Sequence, residues 1–340
     1  MKLIDLGGVT SDAQEAFLRR CPEAMLYHSP KYRSLLVELL KCRPLGAAVV
    51  DGDELAGLAM VMEANGQYGS VLNSLPFFGS HGGLLARSDM ARRVLSDWYR
   101  DLVASNGVAA ATMVENPLAP GTSVDRVEGQ FTDERIGQLT PLTADKASPD
   151  VLMASLHSKT RNMVRKARSS DISVSTDAGQ LEALAHIHFE NMRVMSASPK
   201  PDRFFKLVPQ LFNEGDEWQC WVGRRDGKVA AALLVFHFNG VTEYFTPAVR
   251  EEDRASQALS LVIFEAMRDS AQRGMRWWNW GGTWRSQQSV YRFKSRWGTI
   301  DMPYRYCAVV RNRALLSLSP AELLAAYPSF YVLPFQAPGA

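Results

Sequence analysis

Two stretches of this chain run through apolar segments and turn residues in the same order. The first begins at Gly46, where AAVV leads to Asp51-Gly52, then ELAGLAMVM, Asn65-Gly66 and QYGSVL. The second begins at Trp218, where WQCWVGRR leads to Asp226-Gly227, then KVAAALLVFHF, Asn239-Gly240 and VTEYFTP. Asp-Gly and Asn-Gly between apolar runs predict tight hairpins, because both central residues of the favoured turn need positive φ. Each stretch therefore predicts a three-stranded meander. Downstream, Ser88 opens a helical pattern that Gly107 closes, and the strand-like VAAATMV follows. Ser256 opens a second helical pattern, Gly274 closes it, and MRWWNW follows. A helix is predicted before each meander, at Pro30-KYRSLLVELLKC and at Arg203-FFKLVPQLF. The order β-β-β-α-β thus occurs twice, about half a chain apart. It predicts a duplicated α/β (α+β) unit, each copy a mixed, mainly antiparallel sheet flanked by helices.

The segment PLTADKASPD, residues 141–150, is rich in turn formers. It divides the chain into a domain over 1–145, a domain over 146–312 and a tail over 313–340 with a short helix after Ser319-Pro320. Ser148-Pro149-Asp150 reads as an N-cap, a proline at N1 and an acidic first turn. It opens one helix over VLMASLHSKTRNMVRKARSS. A strand is expected near YRYCAVV.

Composition narrows the classes. Of 340 residues, 46% are hydrophobic and 22% charged, which suits a globular protein with a substantial core. Lys and Arg number 38 against 36 Asp and Glu, so any anion site is a local patch. The four cysteines, Cys21, Cys42, Cys220 and Cys307, have no CxxC or other metal-ligand spacing and read as reduced thiols. The N-terminus lacks a signal-peptide apolar stretch, and the longest apolar run, residues 229–236, is too short to span a bilayer. A cytoplasmic protein with no membrane span is expected.

Three clusters could carry chemistry. Lys159, Arg161, Arg165, Lys166 and Arg168 lie together with no acid among them, and Arg161, Arg165 and Arg168 share a helix face. Such a stripe suits phosphates, and equally a solvated helix face. The second cluster follows strand MRWWNW. Gly281 and Gly282 let the chain turn sharply or let backbone approach a ligand. Trp284, Arg285, Tyr291, Arg292, Phe293, Lys294, Arg296 and Trp297 then interleave cations with rings. That pattern fits a nucleotide or RNA end, and it also fits core aromatics with cations snorkelling outward. The third is LPFFGSHGGLLA, residues 75–86, a glycine loop holding His81 and Gly82. His81 reads as a base, as a hydrogen-bond donor or as structural. The glycines match neither the P-loop nor GxGxxG. His186 and His188 stand on different helix faces, which argues against a metal pair. His237 and Glu243 flank the Asn239-Gly240 turn, where a carboxylate could take a proton from an amine. There is no GxSxG and no HExxH, so no metal is expected.

LHSKTRNMVRKARSSDISVS resembles the opening of the second domain in FemAB-like proteins of the GNAT acyltransferase superfamily, where a Leu leads into an R-N-x-x-R-K-A helix. GMRWWNWGGTWRSQQSVYRFKSRWG resembles that family's strand, Gly-rich turn and F-K-x-x-[FW]-G box. PFFGSHGGLLA resembles its first-domain glycine loop. The resemblance spans about residues 25–310 and implies two tandem GNAT-like domains, the second carrying the donor site. It implies acyl or aminoacyl transfer to an amine. The best-known branch takes amino acids from aminoacyl-tRNA for peptidoglycan precursors, and others are acetyltransferases of polysaccharide or small-molecule pathways. By resemblance Lys294, preceded by Phe293, stabilises the charge that develops when an amine attacks an ester or thioester, and Glu243 completes the catalytic set. The donor is expected along 241–260 and 280–297, with Tyr244, Gly281, Gly282, Trp284, Arg285 and Tyr291. The acceptor is expected near the 76–83 loop, at His81 and Gly82, with Arg161 and Arg203 meeting its negative groups.

Two departures from the family pattern matter. Many GNAT enzymes hold the CoA pyrophosphate on a glycine-containing loop at a helix N-terminus, whereas here Arg250-EEDRASQALS has no glycine. Residues 177–213 leave no room for the coiled-coil arm of some peptidoglycan-bridge enzymes. The expectation is an acyl/aminoacyltransferase forming an amide, with aminoacyl-tRNA as donor and no permanently bound cofactor. Its acceptor would be a small-molecule, cell-envelope or natural-product amine. An acyl-CoA N-acyltransferase and a non-catalytic RNA- or nucleotide-binding protein on the same fold are the alternatives.

Overall fold

The computed structural model describes residues 1–79, 82–119 and 131–333. The chain forms two compact units. The first comprises Met1–Gly137, Gly282–Gln287 and Met302–Ala340, and the second Gln138–Gly281 and Gln288–Asp301. In chain order the elements are β1 (Lys2–Asp5), α1 (Ser11–Arg19), α2 (Pro30–Leu40), β2 (Arg43–Asp51), β3 (Glu54–Gly66), β4 (Gly69–Asn73), β5 (Leu85–Ala86), α3 (Asp89–Ala104), β6 (Val108–Val114) and β7 (Phe131–Pro141). They continue with α4 (Pro149–Ser155), α5 (Ser158–Ser169), β8 (Ser173–Thr176), α6 (Leu181–Val194), α7 (Asp202–Leu211), β9 (Trp218–Arg225), β10 (Lys228–Phe238), β11 (Val241–Val249), α8 (Ala258–Gln272), β12 (Trp277–Trp284), α9 (Gln288–Ser295), β13 (Ile300–Val310) and α10 (Pro320–Ala326).

The first unit places its strands in the order β1-β2-β3-β4-β6-β13. Neighbours run antiparallel except β4 and β6, which are parallel because α3 crosses between them. Ser88 caps α3, accepting from the Ala91 N–H at 3.2 Å. Ala91, Leu95, Tyr99 and Val103 recur every fourth residue and bury against Val49, Val61, Leu72 and Met113.

The second unit repeats the plan with β12-β11-β10-β9-β8. Here α8 crosses between the parallel strands β11 and β12. Its core joins Leu233, Val262, Phe264, Trp278, Trp280 and Trp297. Each fully buried large apolar side chain there contributes about 1.5–3 kcal/mol. The tandem fold anticipated from the repeated pattern is therefore present, one β-β-β-α-β in each unit.

The turns are where local chemistry and tertiary packing part company. Asp226-Gly227 and Asn239-Gly240 all have positive φ, as a tight hairpin requires. Asn65-Gly66 does not turn. Both residues are paired in β3, opposite Ser70 and Gly69, and the chain reverses at Gln67 and Tyr68. Gly66 serves packing instead, since a Cβ there would lie 2.6 Å from the Tyr327 ring. The first hairpin turns one residue later than expected, at Gly52 and Asp53. The single helix expected over 151–170 is two, because Leu156 and His157 take extended backbone and His157 caps α5 by accepting from the Lys159 N–H at 3.1 Å.

Candidate active site

β11 and β12 pair through Val241–Trp277, Thr242–Trp278 and Glu243–Asn279. Glu243 and Asn279 form the last pair of this register, while the strands run on to Val249 and Trp284. Past this point β11 is irregular, its register with β10 shifting between Leu234 and Val235 opposite Thr246 and Tyr244. Alternation along the strands sends Tyr244, Trp278 and Trp280 into the apolar core. Glu243 and Asn279 take the opposite face.

Glu243 is buried, and the Asn279 side-chain amide donates to its Oε2 at 2.7 Å. The other end of that amide, Oδ1, accepts from the Gly281 N–H at 2.9 Å. Gly281 has φ +74°, a backbone that suits glycine. Its carbonyl receives the Lys294 ammonium at 3.4 Å. Lys294 is 7% exposed, and burial lowers its pKa from 10.5 to about 7. Carboxylate, amide, glycine backbone and ammonium thus form one hydrogen-bonded series; Gly281 and Gly282 lie within β12 and the chain turns only at residues 285 and 286, not at the glycines as expected.

The two sequence boxes explain how Lys294 is held. Trp297 is fully buried and anchors the end of α9. The Thr140 hydroxyl accepts from the Trp280 indole N–H at 2.9 Å and donates to the Trp297 carbonyl at 3.0 Å. Phe293 meets Trp280 edge-on, with ring centroids 5.9 Å apart. The start of α5 clasps the same segment: the His157 N–H and the Thr160 hydroxyl both donate to the Arg296 carbonyl, at 3.0 and 3.2 Å. Gly298, at φ +72°, passes close to the Ser155 carbonyl. The residues that lead into the RNxxRKA run thus hold the chain just after α9, within the FKxxWG box.

The remaining candidates are dispersed. Tyr244 packs at 4.8 Å from Trp280, and burial pushes its phenol pKa far up. Tyr291 donates to Asp301 at 2.7 Å. Arg161 donates to the Leu156 carbonyl, closing the C-terminal end of α4. Arg203 lies on an exposed stretch of α7. Gly82, Gly282, Trp284 and Arg285 belong to the first unit. Gly82 is buried, its carbonyl 3.2 Å from His28 Nε2. Trp284 lies beneath the Arg135 guanidinium, 3.1 Å from ring centroid to Cζ. Gly282 leaves space for Tyr304, whose hydroxyl would lie 1.9 Å from a Cβ. Arg285 pairs with Glu134. His81 lies outside the described residues.

Two residues that sequence reasoning passed over belong near this geometry, and a third that it named is placed differently. Asn279 is fully buried within the aromatic run WWNW, where an amide in a strand interior was the available signal. Lys200, between two prolines, is buried and donates to the Phe245 carbonyl at 3.4 Å, with its pKa lowered to about 7 by desolvation. Nothing in SPKPD betrays that burial. His237 is not a strand-end surface group: it is buried between Thr242 and Gln219, 3.0 Å from each, and burial lowers its pKa to about 3.

Comparison with known proteins places this geometry. Residues 154–295 match the family described as acetyltransferase (GNAT) domain. No protein of curated description matches the sequence. Among solved structures, FemX superposes with a TM-score of 0.73 at 13% identity, over 93% of this chain and 98% of that one. The C-terminal domain (DUF2156) of a putative lysylphosphatidylglycerol synthetase from Agrobacterium fabrum gives 0.59 at 11% identity, over 95% and 98%. A tandem GNAT protein from the clavulanic acid biosynthesis pathway gives 0.53 at 12% identity, over 91% and 98%. Residues 154–295 thus carry a GNAT-domain match, and the likeness to FemX shows that the chain shares that fold over most of its length. Among the described residues no helix is long and apolar enough to cross a membrane.

Proposed function

We propose that this protein transfers an aminoacyl group from aminoacyl-tRNA to a primary amine, forming an amide. The amine nitrogen attacks the ester carbonyl carbon, the C–N bond forms, and the bond to the ribose oxygen breaks. The proton lost by the amine passes to Glu243, which returns it to the departing ribose oxygen, so the ribose leaves as its hydroxyl and the carboxylate is restored. The observation that carries the reading is the buried Lys294 ammonium, held on the Gly281 carbonyl of β12 beside the Glu243–Asn279 pair where β11 and β12 cease to pair. A fixed cation in such surroundings stabilises the oxyanion without reorganising at the moment of reaction. No covalent enzyme intermediate is required, since an activated ester reacts directly once positioned.

The approach to α8 supports an ester donor over a CoA thioester. The turn that would cradle a diphosphate carries Glu251, Glu252 and Asp253. The N-cap of α8 is Gln257, in a left-handed conformation without a side-chain cap. The negative charge of Glu251, Glu252 and Asp253 on the approach to α8 disfavours a diphosphate there. On α5 the exposed Lys159, Arg165 and Lys166 supply a surface for an RNA backbone. The acceptor falls among amines of cell-envelope or natural-product assembly, in keeping with the putative lysylphosphatidylglycerol synthetase and the clavulanic acid biosynthesis protein that share this fold. The test is to incubate the protein with a pool of charged tRNAs and with acyl-CoAs, together with mixed amines, and follow each donor by mass spectrometry. Loss of the aminoacyl ester with appearance of an aminoacylated amine is expected. Consumption of acyl-CoA alone would replace the donor, and tRNA binding with no product would leave an RNA-binding protein.

A further inference from the structure

We infer that Asn279 is a positioning residue of this reaction, holding Glu243 and the positive-φ glycine of β12 that receives Lys294 through the two ends of one amide. The inference rests on the proposed role of Glu243. The Asn279 side chain is fully buried, and both ends of its amide are used. The Gly281 N–H can only donate, so it selects the oxygen end of that amide. The NH2 end is thereby aimed across the strand pair at Glu243 Oε2, 2.7 Å away. A hydrogen bond to a buried carboxylate is of the strong, charge-assisted kind and fixes its orientation. The same amide also stabilises Gly281 at φ +74°, as an Asn side chain does when it bonds the backbone two residues on. The Gly281 carbonyl then points at the Lys294 ammonium. Asn279 itself reaches neither donor nor amine in this scheme. It keeps the proton acceptor and the oxyanion-stabilising cation in register with each other, at the last shared rung of β11 and β12.

The test is a double-mutant cycle, read by transfer from a labelled aminoacyl-tRNA pool and from acetyl-CoA to a defined mixture of amino acids and amino sugars. Circular dichroism and Tm establish that each variant is folded. Asn279→Ala is expected to lower kcat at least tenfold with the donor KM changed less than twofold. In a Glu243→Gln background the same change should cost clearly less than in the wild type, the remainder being the loosened Gly281 backbone that receives Lys294. Asn279→Asp preserves shape, removes the donor, and should behave likewise if the alanine variant does not fold. Equal losses in both backgrounds would show that Asn279 acts independently of Glu243 and overturn the inference. Wild-type turnover in Asn279→Ala would overturn it as well. Wild-type turnover in Glu243→Gln would instead remove Glu243 from the reaction, and the inference would fall with it.

Discussion

Lys294 Nζ stands 3.4 Å from the carbonyl of Gly281, thirteen residues before it in β12. The contact places the cation at the end of β12, beside the Glu243–Asn279 pair.

Removing this ammonium should be costly for turnover. Lys294→Ala is expected to lower kcat/KM at least tenfold, about 1.4 kcal/mol of lost transition-state stabilisation. Steady-state kinetics on a folded variant checks this, and unchanged kinetics would exclude Lys294 from the mechanism.

The pH profile should report the same group. With a pKa of about 7, the ammonium is lost as pH rises through neutrality, so activity should show an alkaline limb there. Lys294→Arg keeps its charge across this range. Whatever its absolute rate, that variant should lack the limb, as a rate profile between pH 6 and 9.5 would reveal.

Stability should move the opposite way. Folding lowers the Lys294 pKa from 10.5 to about 7, and Lys200 behaves alike. Between those values the unfolded chain binds protons that the folded protein does not, so these residues make stability rise with pH. The burial penalty is complete below about pH 7 and vanishes above about 10.5. Lys294→Met should therefore stabilise most at pH 6.5, with its advantage shrinking by pH 9.5. Urea midpoints at the two pH values test the sign.

Gly282 should tolerate no side chain. A Cβ would fall 1.9 Å from the Tyr304 hydroxyl, and Tyr304 is itself buried. Gly282→Ala is expected to cost about 1–3 kcal/mol by overpacking. Tyr304→Phe in the same chain should recover part of it, measured by urea denaturation.

The C-terminal segment is a structural part of the first unit. The Asn73 amide and the Thr112 hydroxyl both donate to the Tyr331 carbonyl, at 3.2 and 3.0 Å, and Phe77 N–H donates to Ser329 at 2.7 Å. Asn73 and Thr112 are the last rung of the parallel pair β4 and β6, the counterparts of Glu243 and Asn279. Tyr327, Phe330 and Val332 are buried. Deletion of 327–340 should therefore destabilise the protein by at least about 3 kcal/mol, the loss of two large buried side chains, visible as a lower Tm.

Local chemistry along the chain was enough to set the repeated β-β-β-α-β order, the α3 cap at Ser88 and the positive-φ turns at 226–227 and 239–240, while Lys294 was picked out by resemblance to a family box. The first three depend on periodicity, on glycine's freedom and on contacts within a few residues, all written in linear order. Tertiary structure decided the rest. Asn65-Gly66 pairs within β3 instead of turning, and the ring of Tyr327, far along the chain, fills the space a Cβ at Gly66 would need. Asn279 acquired its place only when β11 lay beside β12, and Lys294 acquired a pKa near 7 only when packing removed its water. Burial and cross-strand register are properties of segments brought together from distant positions, and no window of sequence contains them.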